Sequence, residues 1–168
     1  RPAIAIFDFN DTTDAISDGG TWYCSEVIVT DGESTIGWRL ATVTPAADGA
    51  HTDWTGDYTG IKELGDGQGI SSNTVGDKQS WTFGTVPTGL TGSPVVRGVF
   101  QNVFASVGAA GPQNIIPFTR ESATDYEGTS FAPADNGNIV GFANNPATSA
   151  AWTAAELAAL EIGVKADT

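Results

Sequence analysis

The sequence predicts an all-β protein, an antiparallel β-sandwich of two sheets of jelly-roll or lectin-like type, with one short helix near the C-terminus. Three observations predict it. Apolar and β-branched runs recur with turn residues between them, at spacings that favour short strands over alternating strand–helix units. The 168 residues include 21 Gly and 8 Pro, and only 16% are charged, which is typical of strands joined by tight turns. A single segment near the C-terminus has the pattern of a helix.

Eight segments have the apolar pattern of strands. They are residues 3–9, 26–30, 36–43, 80–86, 95–106, 114–120, 138–143 and 162–165. The long segment 95–106 has apolar residues on both faces, with Val99 on one face and Phe100 on the other. We therefore expect a central strand with both faces largely covered, in which polar side chains such as Gln101 reach an edge or a partner.

Clusters of Gly, Asn and Asp separate these segments, because these residues adopt the positive φ that tight turns require. Residues 46–73 have few apolar anchors, so we expect a long, partly irregular excursion over the surface. No composition shift, charge block or repeat divides the chain. Its length suits one core, and we expect a single domain over residues 1–168, with residues 1–10 a candidate strand between subunits.

The predicted helix is marked by a capping box. The Thr153 hydroxyl is placed to accept from the Glu156 amide, and the Glu156 carboxylate can reach back to the Thr153 amide. Trp152 and Leu157 flank the box as a hydrophobic staple. This pattern predicts a helix over residues 154–160 that packs its leucines on the sheet and leads into the terminal strand.

The charge balance excludes several classes of function. Seven Lys and Arg stand against 20 Asp and Glu, for a net charge of −13. So acidic a chain cannot form the positive surface that binds nucleic acid, and anionic lipid repels it. No apolar run approaches the roughly 20 residues of a membrane helix. We expect a soluble protein without nucleic-acid or membrane partners.

The sequence predicts no catalytic residues. His51 is the only histidine and Cys24 the only cysteine. There is no Gly-x-Ser-x-Gly elbow for a nucleophile and no close pair of strand carboxylates of the glycosidase kind. We interpret His51 as a solvated loop side chain, although a nearby carboxylate could orient it, and Cys24 as a small buried residue. The chain is expected not to be an enzyme and to need no cofactor; a hydrolase using His51 is the weakest alternative.

Structural calcium is the metal that the sequence leaves open. Carboxylate, amide and backbone oxygens in loops are the ligands that calcium prefers. Two acidic loops offer them, although neither has helix–loop–helix calcium spacing, and a solvated acidic surface is the alternative reading. The candidate ligands are Asp8, Asn10, Asp11, Asp14, Asp53 and Asp57.

Aromatic residues supply a second kind of candidate site, because exposed rings stack on the apolar faces of sugars. Trp38, Trp81 and Trp152 lie in strand or helix patterns that favour the core. The candidates for a glycan platform are Trp22, Trp54, Tyr58 and Tyr126.

Several motifs follow one another from residue 57 to the end of the chain. They are DYTGIKE at 57–63, TVGDKQSWTF at 74–83, VRGVFQNVFA at 96–105, FTR at 118–120, ATDYEG at 123–128, NPAT at 145–148, AWTAAEL at 151–157 and LEIGVK at 160–165. Their order resembles small structural proteins encoded among the virion genes of tailed bacteriophages. The first 45 residues have no such likeness, and residues 120–122 stand where a more Gly-rich turn is expected.

The resemblance implies a non-enzymatic β-sandwich located on the virion as a head decoration, neck or tail accessory, which binds other virion proteins and forms a homo-oligomer. Because acidic copies repel unless their contacts are apolar, the contact surface should be the least acidic part. The N-terminal strand is the candidate, through edge pairing with a neighbouring chain, and an ordinary buried strand is the alternative. The contact candidates are Ile4, Ile6, Phe7 and Phe9. The alternative function is a carbohydrate-binding or adhesin-type module of a phage fibre or secreted protein.

Overall fold

The computed structural model describes residues 41–62, 68–84, 95–133 and 137–168. Residues Val43–Thr168 form one compact unit. Its elements in chain order are β1 (Pro45–Thr52), a 3-10 turn (Tyr58–Ile61), β2 (Lys78–Phe83), β3 (Val99–Val103), β4 (Asn114–Glu121), β5 (Thr124–Glu127), β6 (Asn138–Phe142), α1 (Ala154–Ala158) and β7 (Glu161–Asp167). The described part is therefore mostly β with one short helix, which confirms the all-β prediction. The strands predicted at residues 3–9 and 26–30 lie outside the described residues.

The strands form two antiparallel sheets. Five of them lie side by side in the order β1-β2-β7-β4-β5, and β3 pairs with β6 in a two-stranded ribbon. The last strand, β7, is central in the larger sheet, and its Ile162, Val164 and Ala166 are all buried. Alternate residues of a strand face opposite sides, so these three residues define one face of the sheet, which we call the core face.

The core lies between the core face and the ribbon. Its buried members fall into two clusters, Trp81, Ile115 and Val164 in the first and Trp152, Leu160 and Ile162 in the second. From the ribbon, Val103 packs against the first cluster and Val99 against the second. Gln101 lies between them, 8% exposed, and its Nε2 donates to the Gly163 carbonyl at 3.2 Å. The ribbon is thus tied to β7 by apolar packing and by one hydrogen bond.

The segment 46–73, expected to be a long, partly irregular excursion, begins with the strand β1. β1 pairs antiparallel with β2, although its sequence is rich in Ala and lacks an apolar alternation. Strand propensity is a weak constraint when an exposed neighbouring strand offers backbone partners. The pairing with β2 therefore explains why β1 forms a strand.

The strand β5 also has no clear sequence signal, because the turn before it lacks glycine. β4 and β5 are joined at Ser122 and Ala123, whose φ angles are 46° and 68°. Two successive positive φ values are typical of the tight turn of a β-hairpin, where Gly or Asn is usual. Residues other than Gly adopt this conformation here because the register of the hairpin requires it.

The expectation for the segment 95–106 is wrong in one respect. Its regular part, β3, pairs with β6 alone among the described residues. One face of the ribbon covers the core, but on the other face Phe100 is 63% exposed. Both faces of this segment are apolar, but only one of them is buried.

The capping box is confirmed. The Thr153 side chain accepts from the Glu156 amide at 3.2 Å, and Glu156 Oε2 accepts from the Thr153 amide at 2.6 Å. The hydrogen bond from the Thr153 amide is the main reason that the pKa of Glu156 is lowered. The helix ends at Ala158, two residues before the predicted end, and Trp152 packs with Leu157 as expected.

Replacing Thr153 with alanine should cost about 1 kcal/mol of unfolding free energy, because it removes the hydroxyl that satisfies a free amide of the first helical turn. Urea unfolding at pH 7 measures this difference. Thr153→Ser keeps the hydroxyl and should stay within about 0.5 kcal/mol of the parent protein. Equal losses in the two variants would contradict the capping role.

Candidate functional site

A cluster of charged side chains occupies the face of the larger sheet that is opposite the core face. Arg120 is paired with Glu161 of β7 on one side and with Asp125 of β5 on the other. Its neighbour Thr119 is fully buried on the core face, so strand alternation directs Arg120 to the opposite face. We call the following residues the charged cluster: His51, Lys78, Arg120, Asp125, Glu127, Glu161 and Lys165.

A bulge in β1 brings His51 to this face. Asp48 is opposite Trp81 and Thr52 is opposite Gln79, so β1 has two more residues than β2 between these pairs. The bulged backbone is held by side chains of the charged face. The Ala50 amide donates to Glu161 Oε1 at 2.7 Å, and the His51 amide donates to Ser80 Oγ at 3.0 Å.

Gly49 lies inside this bulge, close to two side chains of the charged face. A Cβ atom on Gly49 would lie 2.6 Å from Ser80 Oγ and would overlap the Glu161 carboxylate. A side chain at this position would displace the two oxygens that accept from the β1 backbone. The Asp48-Gly49 pair lies where the bulge begins.

The charged cluster joins the two edges of the sheet. β1 and β5 are at opposite edges, four strand spacings apart, which in a flat sheet is about 19 Å. Yet His51 Nε2 lies 2.9 Å from Asp125 Oδ2 and 3.2 Å from Oδ1. The sheet must therefore curl over its charged face, and the His51–Asp125 contact closes the curl.

Asp125 is the centre of the cluster. Lys78 Nζ donates to its Oδ2 at 2.7 Å, Arg120 Nη1 donates to its Oδ1 at 2.5 Å, and His51 is the third partner. The Asp125 side chain is only 12% exposed. Burial by itself raises the pKa of Asp125, but the hydrogen bonds from Lys78, Arg120 and His51 outweigh it and lower the pKa to about 2. Asp125 is therefore ionised at any physiological pH.

The remaining charges of the cluster neutralise one another. Glu127 accepts from Lys165 Nζ at 3.1 Å and lies 3.4 Å from Lys78 Nζ, and Glu161 lies 3.8 Å from Arg120 Nε. The pKa of Lys78 is raised, chiefly by its hydrogen bond to Asp125. With three carboxylates against two lysines and one arginine, the cluster has no net charge when His51 is neutral.

Phe118 is buried beneath the cluster. It is 0% exposed although it shares the charged face, because Gly163 on the neighbouring strand leaves room for its ring. His51 meets the ring edge-on at a centroid distance of 5.7 Å, and Lys78 Nζ lies 5.5 Å from the ring centroid. Both contacts are favourable for an aromatic ring, so Phe118 gives the charged cluster an apolar base.

The description of His51 as a solvated loop residue is wrong. It lies on β1, and its side chain is 25% exposed. Its carboxylate partner is Asp125, which is distant in the sequence, and not one of the acidic residues next to His51. A His–Asp pair can orient an imidazole for catalysis when a nucleophile meets the ring. In the described part of the chain the imidazole has no hydroxyl or thiol partner, and Ser80 Oγ bonds the His51 backbone and Glu161 instead. The His51–Asp125 pair links β1 to β5.

Sequence reasoning missed Asp125, Arg120 and Lys78 as members of one site. One signal could have found the first two. A two-residue turn at positions 122 and 123 places Arg120 opposite Asp125 in a hairpin, where opposite charges pair. The contacts to His51 and Lys78 cross several strands and have no local signal.

The candidate glycan residues that the structure describes have different surroundings. Trp54 and Tyr58 are partly buried against the first core cluster, and Trp54 Nε1 donates to the Asp77 carbonyl at 3.2 Å. Tyr126 lies on β5, opposite Thr119. Trp22 lies outside the described residues.

The described calcium candidates accept hydrogen bonds from the backbone. Asp53 accepts from the Lys78 amide at 3.0 Å, and Asp57 caps the 3-10 turn by accepting from the Thr59 amide at 2.9 Å. The hydrogen bonds from Thr59, that of its hydroxyl first, lower the pKa of Asp57. Within residues 41–62, 68–84, 95–133 and 137–168, no three His, Cys, Asp or Glu side chains are grouped to hold a metal ion.

The contact candidates Ile4, Ile6, Phe7 and Phe9, the calcium candidates Asp8, Asn10, Asp11 and Asp14, and Cys24 all lie outside the described residues. In the described segments, no helix has the length and apolar character needed to cross a bilayer.

A second notable surface is the side of the ribbon that faces away from the core, which we call the outer face. Its apolar residues are strongly exposed: Ile139 by 72%, Phe100 by 63% and Phe104 by 45%. Neither β3 nor β6 contains a charged residue. Exposed apolar residues on one face make it a candidate contact surface.

Comparisons of the whole chain with known proteins provide no relative: no family model, no curated protein and no solved structure matches it.

Proposed function

We propose that this chain is a non-enzymatic structural protein of a tailed-bacteriophage virion, a head decoration, neck or tail accessory, which binds copies of itself and other subunits of the particle. The outer face of the ribbon is the observation that carries the proposal. It presents Phe100, Phe104 and Ile139 to solvent without a charge on either strand. The order of motifs from residue 57 onward, which resembles that of virion proteins, supplies the virion context.

The net charge of the chain makes this face the natural place for contact. Copies that each carry a charge of −13 repel one another through most of their surface. A contact that buries apolar side chains and no carboxylate avoids both the repulsion and the cost of desolvating charges. The outer face meets these two conditions.

The charged cluster supports the structural role in a different way. Its carboxylates and cations are already paired with one another, and it ties β1 to β5 across the sheet. We propose that the two sheets form a β-sandwich of jelly-roll or lectin-like type, with the ribbon as part of the second sheet. Packing of Val99 and Val103 against the core face supports this architecture.

Phe100→Asp tests the proposal. The purified parent chain should self-associate in sedimentation velocity and co-sediment with particles of the phage that encodes it. Phe100→Asp should weaken both by at least about tenfold, because it places a carboxylate where an apolar contact forms. Its melting temperature should change little, because Phe100 is already largely exposed.

Val75→Asp is the matched control, because Val75 is also exposed (49%) but lies outside the ribbon. It adds the same charge and should leave both associations intact. A parent chain that stays monomeric and does not bind particles would refute the proposed function. Equal effects of the two substitutions would show that overall charge, and not the outer face, controls binding.

A further inference from the structure

In the described part of the chain β6 pairs with β3 alone, so its other edge has no strand partner there. A groove of about 550 Å³ is lined by all of β6, by residues 127–131 and by Pro146, and by no residue of β3. It therefore runs along the edge of β6 that faces away from β3. An unpaired strand edge offers backbone donors and acceptors to a further strand.

The sequence of β6 is complementary to itself in the antiparallel direction. If two copies of β6 pair around Val140, Ile139 of each copy lies opposite Gly141 of the other. Both positions point to the outer face, since Ile139 is 72% exposed and Gly141 lies beneath the ring of Phe100. The large side chain of one copy would thus lie over the glycine of the other and contact its Phe100.

The charges of the site favour an uncharged occupant. Among the described residues that line the groove, Glu127 is the only charged one, and β6 itself has none. A partner surface that carries carboxylates would be repelled by Glu127 and by the net charge of −13. A second β6 strand brings none.

From these observations we infer that two copies of the chain pair through β6, antiparallel about a two-fold axis, so that the ribbons join into a four-stranded sheet β3-β6-β6-β3. Such an interface is isologous and closes on itself as a dimer. The inference rests on the proposed function, which requires self-association, and it specifies the partner and the strand that carry it.

Ile139→Lys tests the inference, with Val75→Lys as the matched control. The dissociation constant of the dimer is measured by sedimentation equilibrium, and amide hydrogen exchange of residues 138–142 is followed at low and high protein concentration. Ile139→Lys should raise the dissociation constant about 100-fold, because a lysine cannot pack over Gly141 and Phe100. Both lysine variants make the chain less acidic, so a general charge effect would favour association in both.

The expected result is a parent dimer with exchange protection in β6 that grows with concentration, lost in Ile139→Lys and kept in Val75→Lys. A dimer that survives Ile139→Lys, or that forms without protection of residues 138–142, overturns the inference and leaves the proposed function standing. A monomeric parent chain overturns the inference as well, and particle co-sedimentation then decides the proposed function independently.

Discussion

Gly163→Ala is expected to destabilise the protein by more than about 3 kcal/mol and to reduce the yield of folded protein. Gly163 lies in the central strand β7, opposite Phe118 of β4. A Cβ atom there would lie 2.7 Å from Phe118 Cε1 and 2.5 Å from the Gln79 carbonyl oxygen. The ring is fully buried beneath the charged cluster, and the carbonyl belongs to the backbone of β2, so neither can move without disrupting the sheet.

Gly69→Ala is the control for this substitution, because nothing lies within 4 Å of the Cβ position there. Its unfolding free energy in urea should stay within about 1 kcal/mol of the parent value. If Gly163→Ala were as stable as the parent protein, the Phe118 ring could not lie against Gly163. The position of Phe118 beneath the charged cluster would then be wrong.

Asp125→Asn should be the second most damaging substitution, with a loss of about 2–4 kcal/mol at pH 7. Lys78, Arg120 and His51 all point at this carboxylate, and its removal leaves the two permanent cations close together without their shared counter-ion. Asparagine has nearly the same size as aspartate, so the loss of unfolding free energy measures the effect of the charge and its hydrogen bonds. Glu127→Gln, at a site 35% exposed, should cost less than about 1 kcal/mol.

The pH dependence of stability provides an independent check of the same site. The pKa of Asp125 is about 2 in the native protein, below the ordinary value of 3.8 for an aspartate. The unfolded state therefore binds the proton more readily, so the contribution is complete above about pH 4 and is lost as the pH falls toward 2. The shift corresponds to about 2 kcal/mol. The stability difference between parent and Asp125→Asn should shrink by that amount between pH 5 and pH 2; parallel pH curves would contradict the role of Asp125.

Local sequence signals located some elements well. The capping box placed the start of α1 correctly, because its hydrogen bonds join residues three positions apart. The strands β4, β6 and β7 follow from their apolar residues, which face a core wherever the strand lies in the sheet. Trp81 and Trp152 were expected in the core and are buried there.

Elements held by distant partners were missed. β1 has little strand propensity and forms because β2 offers an edge, and β5 follows a turn of Ser and Ala with positive φ. The segment 95–106 was expected to be covered on both faces, because both of its faces are apolar. The sequence does not show whether an apolar side chain packs in the core or is exposed to solvent. Its outer face is exposed because no described strand packs there.

The sequence by itself determined the β-rich class, the one capped helix, most of the core and the strong negative charge, because each depends on composition or on residues near one another in the chain. Only the tertiary structure decided the charged cluster and the exposure of the ribbon. His51 and Asp125 are 74 positions apart and meet because the sheet curls, which no local pattern encodes. Charges interact through space and not along the chain, so the site could be recognised only once the order of the strands in the sheet was known.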